Sequence, residues 1–325
     1  MMISKARITA IGTYIPEKIL TNHDLENMVE TNDEWITRRT GIKERRIVAD
    51  NEYTSDLSIK AIEDLITRYN KDIYDVDMII VCTLTPDYIT PSVASYIQGK
   101  LGLNKTGAID LNAACAGFTY GLHLANGLIS SGIHKKILVI GAETLSKITD
   151  FTDRSTCILF GDGAGAVLVE YDEQGSFLAS HVASEGEKAL SLYGTNLSDT
   201  MFTTKLEDKK LLVQNGREVY KWAVSTVPLG IKTLMEKSHL PLQDIDWFIP
   251  HSANLRMIES ICDKSCLSIN KTLTSLVHFG NTSAASIPLA LDIGIKEGKV
   301  KAGQHLLLYG FGGGLSHSGH LIKWG

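Results

Sequence analysis

A single cysteine lies where a predicted strand gives way to an apolar helix. Residues 110–118 read Asp-Leu-Asn-Ala-Ala-Cys-Ala-Gly-Phe, and the predicted helix continues to about Ser130. A thiol in the first turn of a helix faces unpaired backbone N–H groups and the positive end of the helix dipole. This environment favours the thiolate, which is the nucleophilic form. Cys115 is therefore a candidate nucleophile, and a buried structural cysteine is the alternative that this stretch alone leaves open.

Two further polar side chains follow apolar or glycine-rich segments in the second half of the chain. His251 comes after the apolar run 247–250, and Pro250 interrupts strand pairing, so the imidazole is expected at a bend. Asn281 follows Gly280 and precedes a second apolar helix. A structural histidine and an asparagine N-cap are the alternatives. Cysteine supplies covalent catalysis, and both histidine and asparagine can donate hydrogen bonds to an oxygen that gains negative charge.

Two glycine-rich segments could bring backbone N–H groups close to a substrate. Residues 310–314, Gly-Phe-Gly-Gly-Gly, follow an apolar strand and predict either an oxyanion-hole donor or a tight turn. Residues 161–166, Gly-Asp-Gly-Ala-Gly-Ala, fit a loose dinucleotide-binding pattern, but a strand and not a helix follows them. Because phosphate binding needs the helix N-terminus, we interpret this segment as a tight turn between strands.

The elements that must position these groups occur twice in the chain. Three separated segments match counterparts at one shared offset of 169 residues: 75–80 with 244–249, 112–114 with 281–283, and 137–141 with 306–310. A shared offset in three places is hard to obtain by chance and indicates a duplicated unit of about half the chain. By this repeat, Asn281 is the counterpart of Asn112, which lies in the turn that carries Cys115.

Each unit contains an amphipathic helix, an apolar strand introduced by aspartate, a short strand, a tight turn, a buried helix and another apolar strand. Apolar strands alternating with helices indicate sheets that are covered on both faces. Two such units predict an α/β fold of five alternating layers, αβαβα, with the buried helices in the middle. We expect halves at 1–171 and 177–325, a polar, basic insertion at about 21–53, and a surface excursion at 185–216.

Composition is typical of a globular protein and argues against several functional classes. The 325 residues are 44% hydrophobic and 21% charged, and the net charge of −5 argues against a nucleic-acid-binding surface. No apolar run reaches ~18 residues, so no membrane span is expected, and the first residues lack the apolar core of a signal peptide. Five scattered cysteines predict a reducing, cytoplasmic environment. Cys262 and Cys266 lack a second ligand pair, so no metal site is predicted.

Four segments together resemble the motifs of a known family. They are 112–118, 250–256 (Pro-His-Ser-Ala-Asn-Leu-Arg), 280–283 (Gly-Asn-Thr-Ser) and 310–314. These motifs resemble the β-ketoacyl-acyl-carrier-protein synthase III family of the thiolase superfamily, over essentially the whole chain. The resemblance implies a thiolase-like αβαβα fold, a homodimer, and an acyltransferase that starts fatty-acid synthesis with no cofactor besides its coenzyme A (CoA) thioester substrate. In that reaction an acyl group passes from CoA to the cysteine, and malonyl-carrier protein loses CO2 and attacks the acyl-enzyme.

The resemblance also implies roles for individual residues. Cys115 is the nucleophile, and its own N–H together with that of Gly313 forms the oxyanion hole. His251 and Asn281 hydrogen-bond the malonyl thioester carbonyl and stabilise the enolate that decarboxylation leaves. CoA is expected to contact Trp35 and Arg154, which sandwich its adenine, Arg39 and Lys43 at its phosphates, and Asn254. A solvated basic surface is the alternative for these basic residues.

The carrier protein and the acyl chain have expected contacts of their own. The predicted docking residues are Ser252, Ala253, Asn254, Leu255 and Arg256, with Arg217 and Lys221 four apart on one helical face. Carrier proteins are strongly acidic, so a local basic patch would attract them despite the net negative charge. The resemblance also implies an acyl pocket at Phe311 and at Thr90, which would lie in a loop that lines the partner subunit's pocket. Thr90 replaces a bulky aromatic residue of acetyl-selective members, which predicts branched or longer primers in addition to acetyl.

Three other functions are consistent with some of these residues. Another condensing enzyme of the superfamily, such as a hydroxymethylglutaryl-CoA synthase, needs a glutamate base, and no glutamate is expected beside the motifs. A cysteine hydrolase shares the order cysteine, histidine, asparagine but not the local signature around the cysteine. A non-catalytic acyl-binding protein is the third alternative, and the retention of three polar groups on matched turns argues against it.

Overall fold

The computed structural model describes residues 3–207 and 210–325. Its strands are β1 (Ala6–Tyr14), β2 (Lys18–Thr21), β3 (Glu44–Ile47), β4 (Met78–Cys82), β5 (Gly107–Leu111), β6 (Lys136–Thr144), β7 (Asp162–Tyr171), β8 (Phe177–Ser184), β9 (Leu192–Gly194), β10 (Thr200–Met201), β11 (Thr204–Lys205), β12 (Leu212–Gln214), β13 (Trp247–Pro250), β14 (His305–Gly312) and β15 (Ser316–Lys323). Its helices are α1 (Asn22–Glu26), α2 (Asp33–Thr40), α3 (Thr54–Tyr69), α4 (Val93–Lys100), α5 (Gly117–Ser130), α6 (Gly216–Ser238), α7 (Leu255–Ser265), α8 (Leu276–Phe279) and α9 (Ser286–Lys296).

Two mixed sheets form the framework. The first has the strand order β1-β7-β6-β4-β5, in which β6, β4 and β5 run parallel and β7 lies antiparallel to both β1 and β6. The second has the order β13-β14-β15-β8, with β13 parallel to β14 and the remaining pairs antiparallel. All nine residues of β6 are buried, as expected for a strand covered on both faces.

Alternate residues of the central strands enter different layers of the core. In β6, Val139 packs against α5 and α9 between the sheets, whereas Leu138 packs against α3 and α4 on the outer face. In β14, Leu308 joins the same central cluster, whereas Leu307 packs against α6 and α7 on the opposite outer face. The layers are therefore α3/α4, the first sheet, α5/α9, the second sheet and α6/α7. This arrangement confirms the predicted five-layered αβαβα fold.

The duplication extends to the start of each central element. Short 3₁₀ turns at Ala114–Ala116 and Ser283–Ala285 lie 169 residues apart, and the same offset separates the starts of α5 and α9 and those of β6 and β14. Even the unusual backbone repeats, because Ala114 and Ser283 both adopt a left-handed conformation, with φ of 44° and 48°. The two turns lie side by side at the centre of the molecule, where strands from both halves reach them.

Two local expectations were wrong, and one residue of the insertion has an unexpected environment. Residues 162–166 lie within β7 and do not form a turn, because their small side chains allow α9 to pack closely on the strand; a Cβ on Gly165 would lie 2.6 Å from that of Pro288. The 185–216 segment is more than a surface excursion, since β9 and β12 pair and cover a central cavity. Arg45, in the basic insertion, is fully buried and donates hydrogen bonds to the carbonyl oxygens of Leu20 and Ile158.

Candidate active site

One cavity joins the three side chains that the sequence singled out. It has a volume of about 810 Å³ and is lined by Cys115, His251 and Asn281. Cys115 comes from the 3₁₀ turn before α5, His251 from the end of β13, and Asn281 from the turn before α9. The first belongs to the front half of the chain and the other two to the back half, so the pairing of the duplicated units creates the site.

Cys115 lies in a strained turn that the backbone of β14 crosses at short distance. The side-chain Oδ1 of Asn112 accepts the backbone N–H of Ala114 at 3.2 Å, which supports the left-handed conformation of that residue. Strand β14 crosses directly over the turn, where a Cβ on Gly310 would lie 2.9 Å from the Cα of Ala116. A Cβ on Gly312 would lie 2.9 Å from Cys115 Sγ. The glycines of this strand therefore admit the nucleophile and leave room around it.

Burial opposes the thiolate that the helix turn was predicted to favour at Cys115. Burial raises the pKa of the Cys115 thiol to about 12, despite a hydrogen bond with the Ser283 side chain and contacts from the backbone N–H groups of Cys115 and Gly313, which act in the opposite direction. Desolvation in the closed cavity thus outweighs the local dipoles. The backbone N–H groups that act on the sulfur are those of Cys115 and Gly313, the two residues predicted for the oxyanion hole.

His251 is a buried, neutral imidazole with one nitrogen already engaged. Its side chain is 2% exposed, and burial lowers its pKa to about 3. Nδ1 lies 2.8 Å from Ser286 Oγ, and that oxygen also accepts the backbone N–H of Ser252 at 3.2 Å. Because the serine lone pairs already accept one N–H, its hydroxyl proton can be donated to Nδ1. This pattern makes Nε2 the protonated ring nitrogen, and the backbone of Ser283 also hydrogen-bonds the imidazole, which lines the cavity.

Asn281 repeats the arrangement of Asn112. Its Oδ1 accepts the backbone N–H of Ser283 at 2.9 Å, so its side-chain NH2 group remains for other partners. The predicted N-cap alternative is close to this geometry, because the bonded N–H belongs to the first residue of the 3₁₀ turn. Phe311 completes the wall beside these donors, with its ring centroid 5.3 Å from that of His251 at an interplanar angle of 74°.

A buried glutamate lies beside the motifs, contrary to expectation. Glu143, at the end of β6, is fully buried and accepts a hydrogen bond from Ser283 Oγ at 2.9 Å. The sequence shows it only as one polar residue at the end of an apolar strand, so its proximity to the cysteine turn could not be predicted. Glu143 is not among the residues that line the cavity, so it does not supply the substrate-contacting base of the alternative condensing enzymes.

A second cavity of about 630 Å³ opens beside the first and is rich in arginine. Its lining includes Trp35 and the four arginines Arg39, Arg154, Arg217 and Arg256. The guanidinium carbons of Arg154 and Arg39 lie 4.7 and 5.3 Å from the Trp35 ring centroid. Asn254 and Met257 line both cavities, so the basic surface is continuous with the cysteine chamber.

Several predicted contact residues lie elsewhere. Ser252 is fully buried and its Oγ accepts the backbone N–H of Ser275, so its side chain does not reach a docking surface. Lys43 is exposed but lines neither cavity, and Lys221 is paired with Glu218 at 2.8 Å. Thr90 is exposed and does not line the cavity of its own chain. Ala253 and Leu255 are half-buried beside the exposed Arg256.

The covering hairpin adds pocket residues that the sequence did not reveal. Leu192 and Leu212, from β9 and β12, line the central cavity with Leu145 and Phe160. A polar composition hid this role, since only a few apolar residues of the hairpin face inward. Among residues 3–207 and 210–325, no group of three or more metal-ligating side chains occurs, and no helix is long and apolar enough to cross a membrane.

Comparison with known proteins identifies a family for this chain. A family model described as 3-oxoacyl-[acyl-carrier-protein (ACP)] synthase III matches residues 109–186, and the model of its C-terminal part matches residues 235–324. A relative from Halalkalibacterium halodurans, named beta-ketoacyl-[acyl-carrier-protein] synthase III 2, is 67% identical over 325 residues, covering 100% of this chain and 98% of its own. Its namesake from Bacillus anthracis is 61% identical over 324 residues, 99% of each chain.

Solved structures agree with the sequence relatives. The synthase III of Thermus thermophilus superposes with a TM-score of 0.95 at 42% identity, covering 98% of this chain and 99% of that one. That of Aquifex aeolicus has a TM-score of 0.92 at 40% identity, covering 98% and 100%. Fold and site together define a thiolase-like condensing acyltransferase. The chain belongs to the β-ketoacyl-[acyl-carrier-protein] synthase III family, which confirms the predicted family and enzyme class.

Proposed function

We propose that this protein condenses an acyl group delivered by CoA with malonyl-carrier protein and so starts fatty-acid synthesis. The products are 3-oxoacyl-carrier protein, CoA and CO2. The observation that carries the proposal is the convergence of Cys115, His251 and Asn281 on one cavity. Family membership supplies the reaction, and the geometry provides one group for covalent chemistry and two for developing charge.

In the first half-reaction, Cys115 Sγ attacks the acyl-CoA carbonyl. The N–H groups of Cys115 and Gly313 face this sulfur and are placed to donate to the oxyanion of the tetrahedral intermediate. Collapse of that intermediate expels CoA thiolate and leaves the acyl group on the cysteine. The apolar walls of the cavity, including Leu145, Leu192 and Leu212, exclude water from the acyl-enzyme and retain the thioester for the second step.

In the second half-reaction, loss of CO2 from malonyl-carrier protein places negative charge on the thioester oxygen. His251 Nε2–H and the side-chain NH2 of Asn281 donate hydrogen bonds to this oxygen. A neutral donor in a closed cavity is effective here because it favours the enolate without transferring its proton, and burial keeps His251 neutral. The enolate carbon then attacks the acyl-Cys115 carbonyl and releases the thiolate.

The arginine-rich cavity is the proposed entrance for CoA. Adenine between Trp35 and Arg154 needs about 7 Å, which is two stacking distances of about 3.5 Å each. The guanidinium lies 4.7 Å from the ring, so Arg154 must swing outward when the nucleotide binds. Arg39 is placed for the phosphates and Asn254 for the pantetheine arm, because Asn254 also lines the inner cavity. Lys43 is left out of this proposal.

The same surface is proposed to receive the carrier protein. Arg217 and Arg256 place positive charge beside the entrance, and an acidic carrier would be steered to it. Ala253, Asn254 and Leu255 are half-buried and directly precede Arg256 in the chain. Lys221 adds less positive charge to this surface, because it already forms an ion pair with Glu218.

For the acyl group and the assembly, we propose a homodimer that accepts branched primers in addition to acetyl. Ile89 is 79% exposed and Tyr88 51% exposed beside Thr90, an apolar loop tip that association with a second copy would cover. Placed against a partner subunit's cavity, the short Thr90 side chain would leave room for a branched acyl chain. Phe311 would limit the opposite end of the acyl pocket. All five cysteines are free thiols, which supports a reducing, cytoplasmic location.

The test is CO2 release from malonyl-carrier protein with acetyl-, isobutyryl- and 2-methylbutyryl-CoA as primers. The proposal predicts stoichiometric CO2 and 3-oxoacyl-carrier protein with all three primers. Absence of condensation with every primer would reject the function, whereas strict preference for acetyl-CoA would reject only the primer range. Free-acid release without malonyl-carrier protein would identify a hydrolase instead.

A further inference from the structure

Glu143 is a buried carboxyl group that the reaction described above does not use. Its side chain receives hydrogen bonds from the hydroxyls of Thr83, Thr85 and Ser283, at 3.0, 2.6 and 2.9 Å. The backbone N–H of Leu84 adds a fourth, at 3.1 Å. Each of these partners can donate a proton to a carboxylate, so the surroundings are built for the ionised form even though burial disfavours it.

Ser283 connects this carboxyl group to the nucleophile. Its hydroxyl donates to Glu143 Oε1 at 2.9 Å, and Ser283 lines the same cavity as Cys115, where its side chain lowers the pKa of the thiol. The hydroxyl has a single proton. While it donates to the carboxylate, its lone pairs can accept the S–H of Cys115; once the carboxyl group is protonated, the hydroxyl donates to the thiolate instead, which lowers the pKa of the thiol. The backbone N–H of Ser283 is fixed by Asn281, which holds the hydroxyl in place. The counterpart in the other half of the repeat is Ala114, so only one of the two turns has this connection.

Acyl transfer needs an acceptor for the thiol proton. Burial raises the pKa of Cys115, so spontaneous ionisation is costly, and burial lowers the pKa of His251 to about 3, which makes it a poor base. Burial raises the pKa of Glu143 to about 7, near the pH at which a general base works best. Of the buried groups around the sulfur, the carboxyl behind Ser283 is the best-matched acceptor.

We propose that Glu143 acts through Ser283 as the positioning residue and proton acceptor for Cys115 in the acyl-transfer step. As the S–C bond to the acyl carbon forms, the thiol proton passes to Ser283 Oγ, and the proton of that hydroxyl passes to Glu143 Oε1. The electron pair of the breaking bond leaves with CoA thiolate, which takes a proton from solvent. When condensation releases the Cys115 thiolate, the proton returns from Glu143 by the same route.

Other titratable groups near Glu143 do not compete for this role. The Cys82 thiol interacts with it from β4, but burial raises the pKa of that thiol far above its usual range. Asp162, on the adjacent strand β7, is a second buried carboxyl group. It accepts the backbone N–H groups of Val48 and Ser146 and so belongs to a separate network. Asp162 is therefore a matched control for loss of a buried carboxylate.

The inference rests on the proposed function, and the experiment separates the two. Single-turnover release of CoA from acetyl-CoA is measured between pH 5.5 and 9 for the wild type, E143Q, S283A, the double variant and D162N. We expect E143Q and S283A each to slow this step on the order of 10²-fold. We expect the double variant to be no slower than either single variant, because both residues lie on one route. The wild-type rate should decline below about pH 7, and that decline should vanish in E143Q.

Two further measurements exclude a merely structural role. Decarboxylation of malonyl-carrier protein by enzyme that is already acylated should be unchanged in both variants, and D162N should acylate as fast as the wild type. Alkylation of Cys115 by iodoacetamide should slow in parallel with acylation. Normal acylation by E143Q or S283A, equal losses in both half-reactions, or additive losses in the double variant would overturn the relay. A wild type that never releases CoA would instead overturn the proposed function.

Discussion

The link between His251 and Ser286 allows one prediction to be developed in depth. Ser286 Oγ is fully buried, lies 2.8 Å from His251 Nδ1 and accepts the Ser252 N–H. The substitution S286A removes both contacts and leaves a buried N–H unsatisfied, which costs about 1–3 kcal/mol. It also removes the hydroxyl donor to Nδ1, which favours the tautomer with the proton on Nε2. If the same free energy is lost from the decarboxylation transition state, the rate falls roughly 5- to 150-fold.

The two half-reactions provide the assay. Release of CoA from acetyl-CoA depends on Cys115 and should be unchanged in S286A, whereas CO2 release from malonyl-carrier protein by the acylated enzyme should fall. S58A is the matched control, because Ser58 is also fully buried and donates to a backbone carbonyl, that of Thr54, in the outer helix α3. We expect S58A to lower the melting temperature without changing decarboxylation. Normal decarboxylation by S286A, together with a lowered melting temperature, would refute the tautomer assignment.

Three other predictions follow from the structure. G312A should abolish acylation of Cys115, because the new Cβ would lie 2.9 Å from Sγ. The intact-protein mass after exposure to acetyl-CoA measures the acylation. Full acylation would contradict the proposal that β14 leaves no room for a side chain beside the sulfur. Between pH 4.5 and 7, E143Q should gain up to about 3 kcal/mol of unfolding free energy relative to the wild type. The reason is that native wild-type Glu143 retains a proton that the unfolded chain has lost, so the unfolding free energy of the wild type falls as pH rises through this window. Urea unfolding at both pH values measures this, and a constant difference between the two proteins would contradict the reasoning. W35A should raise the KM for acyl-CoA roughly 5- to 150-fold, because stacking of a base on an aromatic ring is worth about 1–3 kcal/mol. Decarboxylation by the acylated enzyme should be unchanged. An unaltered KM would show that the adenine does not bind at Trp35.

Much of the fold could be predicted because the chain contains its own internal comparison. The offset that relates Asn112 to Asn281 in the sequence also relates the two 3₁₀ turns and the helices that follow them. The local hydrophobic pattern was sufficient to predict the layers, because an apolar strand or a fully apolar helix must be covered on both sides. The convergence of Cys115, His251 and Asn281 followed from packing the two units together.

The features of the site that the sequence did not reveal are those that depend on burial by segments far away in the chain. The Ser252 side chain looks like a surface group in the sequence, yet it is fully buried, and Ser252 is hydrogen-bonded by Ser275, just before α8, and by Ser286 in α9. The thiolate expectation for Cys115 considered the helix dipole but not desolvation, which depends on how completely β14 closes over the turn. Glu143 and the inward face of the 192–214 hairpin were missed for the same reason, because neither has a periodic signal that indicates its partner.

The central claim is that Cys115 holds the acyl group between the two half-reactions. Intact-protein mass spectrometry after incubation with acetyl-CoA tests it most directly, followed by peptide mapping and then by addition of malonyl-carrier protein. The account predicts one acetyl group per chain, located on Cys115, absent from C115A, and lost with release of CO2 when malonyl-carrier protein is added. An acetyl group on another residue, or condensation by C115A at the wild-type rate, would contradict it.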